Sequence, residues 1–556
     1  MAYLNKDPIA PTIDRLKNLK FLVVDDFVNF RRTVKGMLAS LGVAHIVDAF
    51  DGESALLRMS TAKYDVILCD YNLGPGKDGQ QVLEEAKHFK YVNYMTVFMM
   101  VTAENSMDMV MGAVEYMPDD YLMKPFTKQM LEKKLLHVLG KKIALREIVQ
   151  TIEVMDYEKA LSLCDGAIGK SPKHIGEVLR IKGEILAKRG DHPRTEAFYK
   201  EVSAMGKMPW ALFGLGKCQY LQGRLEDAQQ TFTLLIQTND KVMAAYDWLA
   251  KVLVAMGNPK EAQSVLTKAT EISPRTLDRQ RELGTIAQKN ADMKTAVKSF
   301  KSAVKYGKNS AFKAPSDYTA LAKVLVDADS PEEGLSVLGD AQQTFARDLG
   351  ATVEIGLAAS QVYQKLNRQE EARESINRVI KATGKSPVKV PADVELELAK
   401  ALILSGDAQK GKEIVRKLIQ SNHQNEELLA ETAKMFEGLN MAEEGQELLS
   451  AAVEEVAELN NQGVKLVKEG ELAKATSYFD KAAEGLPDNT LINANAAYAC
   501  MLDMKKNGKS TEGIQKAQKY LEGVYRNDPQ YRDLPGLLIV YREISKEPLS
   551  WMTATL

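Results

Sequence analysis

The sequence predicts an α/β doubly wound parallel five-stranded sheet followed by an all-α solenoid of helical hairpins. Three observations carry this. Short apolar runs alternate with helical patterns over residues 19–140, as expected of strands joined by crossover helices. From residue 141 the strand-like runs stop and a 34-residue self-similarity takes over. At 556 residues the chain also exceeds one ordinary core, so more than one domain is expected.

Residues 1–18 read as an N-terminal extension. KFLVVDD (20–26) is the first strand. Phe30, Val34, Met37, Leu38 and Leu41 then recur at helical spacing, and Gly42 stops that helix. AHIVDAF (44–50) is the second strand and ESALLRMS (53–60) a helix. YDVILCD (64–70) and MTVFMMVT (95–102) are the third and fourth strands. SMDMVMGAVEYM (106–117) is helical, DYLMKP (120–125) is a short fifth strand, and a helix begins at Thr127. Helices cover both faces of such a sheet, and its polar chemistry gathers at the carboxyl ends of the strands.

Those ends carry a consistent set of residues. Asp25 and Asp26 end the first strand, Asp70 the third, Thr102 the fourth and Lys124 the fifth. Three neighbouring carboxylates repel unless a cation or protons compensate. A hard divalent ion with oxygen ligands, Mg²⁺ above all, is the natural partner, and it keeps waters and borrows phosphate oxygens. Lys124 adds a second positive charge, and the Thr102 hydroxyl can hydrogen-bond the same phosphoryl group. The set points to phosphoryl transfer with a carboxylate as nucleophile.

This region resembles the receiver domain of bacterial response regulators, a flavodoxin-like fold. The resemblance implies that Asp70 accepts a phosphoryl group from a phosphohistidine on a partner histidine kinase. It implies that Asp25 and Asp26 hold Mg²⁺ together with Asp70 and the backbone carbonyl of Asn72. Thr102 matches the family's switch hydroxyl, Tyr121 its switch aromatic and Lys124 its lysine; the Lys124–Pro125 bond is expected to be cis. Side chains two residues past the acceptor and two past the switch hydroxyl, here Asn72 and Glu104, flank the approach of water and set the phosphoryl lifetime. Both are polar, as in chemotaxis receivers, so a short-lived phosphoryl state is expected. In one respect the sequence departs from the family. DYNLGPGKDG takes nine residues from Asp70 to Gly79, one more than usual.

In the second part, Gly216, Ala250 and Gly284 stand 34 residues apart. Ala228, Ala262 and Ala296 follow at one fixed offset, Phe232, Leu266 and Phe300 at a second, and Leu235, Ala269 and Ala303 at a third. Small residues let paired helices approach, and the large ones fill the space between them. This resembles the tetratricopeptide repeat (TPR). The offsets recur at Ala160, Cys164, Ala167 and Pro172, and at Gly463, Gly470, Ala475, Phe479, Ala482 and Pro487. Weaker copies lie near 322–334, 360–372, 399–411 and 433–445. Ten to eleven repeats over 141–530 are expected, with LPGLLIVYREI (534–544) as a cap within 531–556. Trp210, Tyr220, Tyr246 and Trp248 either line a groove or pack between helices. At the join, the last helix of the first part runs on into the first hairpin, or Gly140 ends it.

Composition bounds the function. Lys and Arg total 73 against 75 Asp and Glu, a balance that disfavours a general nucleic-acid binder. No apolar run is long enough to span a bilayer, so membrane insertion is not expected. The N-terminus lacks a signal-peptide pattern, and four scattered cysteines fit a reducing, cytoplasmic setting. The expectation is a non-enzymatic response regulator that assists its own dephosphorylation. Phosphorylation of Asp70 would gate binding of a protein or peptide in the TPR groove, making the chain an inhibitor or adaptor of another signalling protein. A transcription regulator with cryptic DNA contacts and a phosphate sink are the alternatives, and a homodimer stays open.

Overall fold

The computed structural model describes residues 16–103, 118–170, 174–206, 208–383, 391–528 and 531–546. The chain divides into two compact units, 1–330 and 331–556. The first therefore contains the sheet together with a run of helical hairpins.

Five strands, β1 (Lys20–Val24), β2 (His45–Ala49), β3 (Val66–Asp70), β4 (Val97–Thr102) and β5 (Asp120–Met123), form the sheet. Its order is β2-β1-β3-β4-β5 and every pairing is parallel. β3 lies at the centre and all five of its residues are buried, which explains why its apolar run is continuous rather than alternating. Period-two alternation still sorts its side chains. Val66 and Leu68 join Val23, Met99 and Val101 beneath α1 (Val28–Ser40) and α4 (Lys128–Glu153). Ile67 and Cys69 join Leu22 and Met100 beneath α2 (Gly52–Thr61) and α3 (Gly79–His88). Capping boxes fix the starts of α2 (Asp51 with Ser54) and α3 (Asp78 with Gln81). The helix expected at 106–117 lies outside the described residues.

Helix α4 passes straight through Gly140 and runs for 26 residues. Its first half buries Leu131, Leu135 and Val138 against the sheet. Its second half buries Leu145 and Ile148 against α5 (Tyr157–Lys170) and α6 (Ile175–Lys188). One helix thus belongs to two cores. Lys142 reinforces the join: its Nζ donates to the carbonyl oxygens of Tyr94 (2.5 Å) and Thr96 (2.8 Å) and lies 2.8 Å from Asp119. Burial holds this ammonium below its ordinary pKa, against the pull of Asp119. The Tyr94 ring packs on the first hairpin.

The hairpins continue as α7 (His192–Met205), α8 (Pro209–Leu221), α9 (Leu225–Thr238), α10 (Met243–Ala255), α11 (Pro259–Ile272), α12 (Leu277–Lys289), α13 (Met293–Gly307) and α14 (Pro315–Asp327). Among the described residues no strand follows β5. The small-against-large rule is visible in distances. A Cβ on Gly216 would meet the Phe232 ring at 2.7 Å, and one on Gly284 the Phe300 ring at 2.8 Å. Gly183 and Tyr199 make the same pair at 2.6 Å, a hairpin whose register the sequence reading did not single out. Left-handed turns at Gly190, Gly223 and Gly257 close successive first helices, and Ala291 (φ +60°) and Asp329 (φ +55°) take the role at the next two. Tyr246 is buried, whereas Trp210, Tyr220 and Trp248 are half-buried. Tyr220 and Trp248 meet edge to face at 5.5 Å, so these aromatics serve packing.

The second unit is helical too. A Cβ on Gly463 would stand 2.3 Å from the Phe479 ring, the strictest copy of the same rule. One helix, α15 (Ala442–Lys468), runs for 27 residues and fuses the weak copy near 433–445 with the copy that begins at Gly463. No glycine or proline falls between 446 and 462 to break it. The final helix, α16 (Leu534–Ser545), buries Leu534, Leu537 and Tyr541 in the last hairpin core, as a capping helix should. All four cysteines are free and buried. Among the described residues no helix is long and apolar enough to cross a membrane.

Candidate functional site

The parallel register aligns the strand ends. Asp70 pairs with Val101, and Thr102 pairs with Met123. The residues just past these positions therefore share one edge. Backbone bonds tie that edge together: Tyr71 N donates to Val101 O at 2.8 Å and Lys124 N to Thr102 O at 2.8 Å. The Lys124–Pro125 bond is cis.

Asp25, Asp26 and Asp70 offer carboxylate oxygens that lie within 4.8 Å of one another. Asp25 and Asp70 are 1% and 7% exposed, while Asp26 faces solvent. Lys124 Nζ bridges the buried pair, 2.6 Å from Asp25 Oδ2 and 2.7 Å from Asp70 Oδ2. It also lies 4.0 Å from the centre of the Phe30 ring. Asp25 Oδ1 accepts from Phe27 N at 2.8 Å, and Arg31 donates to Asp25 O at 2.7 Å, so the β1 end is held from both sides.

The electrostatics follow from this crowding. Burial pushes the Asp70 carboxyl up to about 6; the Lys124 ammonium pulls it down and the Asp25 charge pushes it up again. For Lys124, burial disfavours the charge, but the two carboxylates outweigh it and hold the ammonium above its ordinary value. The cluster suits a hard cation. The three carboxylates are oxygen donors of the kind Mg²⁺ takes, and together they would hold it.

The other expected residues sort as follows. Thr102 is buried at the end of β4. Asn72 is exposed, and its Oδ1 accepts from Gly74 N at 3.2 Å. The Tyr121 ring packs on the Cys69–Met100 face of the sheet. Its Oη is buried without a hydrogen-bond partner among the described residues, and burial raises its pKa. Glu104 lies outside the described residues. Sequence reasoning missed the surroundings of the loop after Asp70. Arg275 Nη1 donates to Tyr71 Oη at 3.2 Å and to Asp78 Oδ2 at 3.1 Å, a contact across some two hundred residues of sequence that no local pattern announces.

Comparison with known proteins agrees with this geometry. The family model described as the response regulator receiver domain matches residues 21–136. Tetratricopeptide repeat models match 210–241, 244–276 and 357–385. Chemotaxis protein CheY of Pseudomonas aeruginosa is 34% identical over 117 residues, which is 21% of this chain and 93% of that protein. Chemotaxis protein CheY-3 of Vibrio cholerae serotype O1 is 34% identical over 119 residues, 21% of this chain and 90% of that protein. The solved structure of chemotaxis response regulator CheY4 of Vibrio cholerae is 30% identical, covering 22% of this chain and 98% of that one, with a TM-score of 0.20. The family models fall on the sheet with its acidic edge and, separately, on the helical hairpins, and the two chemotaxis proteins are matched over 93% and 90% of their length; the chain belongs to the two-component response regulators, with an N-terminal receiver domain followed by tetratricopeptide repeats.

Proposed function

We propose that Asp70 is the phosphoryl acceptor and that its phosphorylation gates protein binding by the repeats. The donor is a phosphohistidine on a partner kinase. An Asp70 carboxylate oxygen attacks phosphorus in line, the phosphorus–nitrogen bond breaks, and the imidazole leaves and takes up a proton. Asp25, Asp26, Asp70 and the Asn72 carbonyl would hold Mg²⁺, which neutralises charge on the phosphoryl oxygens when bound. Lys124, beside the Asp70 carboxylate, supplies a second, fixed positive charge. Thr102 hydrogen-bonds the new phosphoryl group, and Tyr121 turns with it. Water admitted past Asn72 and Glu104 later cleaves the aspartyl phosphate. The repeats then bind, or release, a protein or peptide, which makes the chain an adaptor or inhibitor within its pathway.

The observation that carries this reading is the Lys124 ammonium bridging Asp25 and Asp70 beside a third carboxylate. A Mg²⁺ titration of the full chain, with and without beryllofluoride as phosphoryl mimic, tests it. Mg²⁺ binds more tightly with the mimic present, because the mimic completes the ligand set. Equal affinity in the two titrations contradicts the site.

A further inference from the structure

The receiver's β3–α3 loop, residues 71–78, follows directly on Asp70 and carries Asn72. It lies against two turns of the repeats in the first unit. Arg275 stands between α11 and α12, and residues 308–312 between α13 and α14. Arg275 and Asn309 are 34 residues apart, the repeat period, so the loop spans equivalent points on neighbouring repeats.

Both ends of the loop are gripped. Arg275 holds Tyr71, the residue after Asp70, and Asp78, the cap of α3. In the middle, Asn309 Nδ2 donates to Gly76 O at 2.8 Å, and Lys77 Nζ donates to Asn309 O at 2.9 Å. Along α3, Ser310 Oγ donates to the buried Glu84 carboxylate, and the Phe312 ring meets His88 edge to face at 5.2 Å. The loop's extra residue relative to the receiver family falls inside this gripped segment. The loop is also closed on itself beside the acceptor, since Gly79 N donates to Tyr71 O at 2.8 Å.

We propose that Arg275 is a positioning residue for the phosphoacceptor loop, and that through it the repeats and Asp70 are coupled in free energy. The inference rests on the reading of Asp70 as acceptor. A loop fixed at Tyr71 and Asp78 cannot rearrange around a charged group on Asp70 without shifting the guanidinium. By linkage, whatever the site does to the turns, the turns do to the site. Phosphorylation is thereby read by the protein's own repeats at residues 273–276 and 306–312 before any partner is engaged. A single half-buried Arg–Asp pair at a loop contributes modestly to stability; its role here is communication.

Amide hydrogen exchange on the full chain tests this, with and without Mg²⁺ and beryllofluoride. The amides of Ser310 and Phe312 are hydrogen-bonded, to Gly307 O and Ser310 Oγ, so their exchange reports on the turn. In the parent, the mimic changes exchange at 71–78 and also at 306–312, the latter by about fivefold or more. In Arg275→Ala the loop still responds and 306–312 responds through its own contacts with the receiver, while the 273–276 turn, which responds in the parent and is read at the Ser273 amide bonded to Ala269 O, no longer does. Arg275→Lys, which keeps the charge toward Asp78, restores part of the turn's response. If 71–78 responds and 306–312 is unchanged in the parent, the coupling is refuted and the acceptor site stands. If neither segment responds, the acceptor reading fails and the coupling falls with it.

Discussion

A Cβ atom on Gly79 would stand 2.1 Å from the carbonyl oxygen of Asp70. The start of α3 therefore presses on the backbone of the acceptor itself. Neither side can yield, because the Asp70 backbone sits at the end of the central strand and Tyr71 O accepts from Gly79 N. Gly79→Ala is expected to destabilise the receiver by about 1–3 kcal/mol, an overpacking cost against backbone. Thermal melting of the full chain measures it, and a variant as stable as the parent refutes the contact.

The raised Asp70 carboxyl makes a prediction about stability and pH in the absence of metal. Its folded value of about 6 lies above the ordinary carboxylate value of roughly 3.9. The folded state thus binds more protons between these values, and stability falls as pH rises through them. Asp70→Asn removes the penalty. The variant is expected to be more stable than the parent at pH 8, by about 1 kcal/mol after allowing for Lys124. The advantage shrinks as pH falls through about 6 toward 4. Denaturant melts across that range check it; an advantage that grows on acidification contradicts the burial of Asp70.

Lys142 joins the receiver to the first hairpin. Replacing it by Met keeps the stem but leaves the buried carbonyl oxygen of Thr96 and the half-buried one of Tyr94 without their donor. A loss of about 2 kcal/mol is expected, together with faster exchange around residue 94. Unchanged exchange there means the lysine does not secure the join.

The lifetime of the phosphoryl group should depend on residues 72 and 104. Asn72 is exposed and polar, so it orients water rather than excluding it. The double variant Asn72→Met with Glu104→Leu is expected to lose label severalfold more slowly once the donor is removed. Unaltered decay places control of water elsewhere.

The receiver was legible because its physics is local. Short continuous apolar runs, each ending on a polar residue, place Asp25, Asp70, Thr102 and Lys124 on one edge once the strands are parallel. The hairpins around Gly216, Ala250 and Gly284 were legible because a small residue must face a large one at a fixed offset. Where offsets loosen, as in the fused helix 442–468, periodicity shows helix but not where a turn was lost. Gly140 illustrates the same point: helix propensity alone left the join open, and burial of Leu145 and Ile148 on one side and Val138 on the other decides it. The grip of Arg275 on Asp78 was illegible. Both are surface-type polar residues, and only the path of the intervening hairpins brings them together.

The most direct test locates the acceptor. The full chain is incubated with acetyl phosphate and Mg²⁺, and the phosphoryl group is mapped by borohydride reduction and peptide mass spectrometry. The account predicts a single Mg²⁺-dependent modification on Asp70, absent from Asp70→Asn even though that variant folds. Undiminished Mg²⁺-dependent labelling of Asp70→Asn would place the acceptor elsewhere and contradict the account.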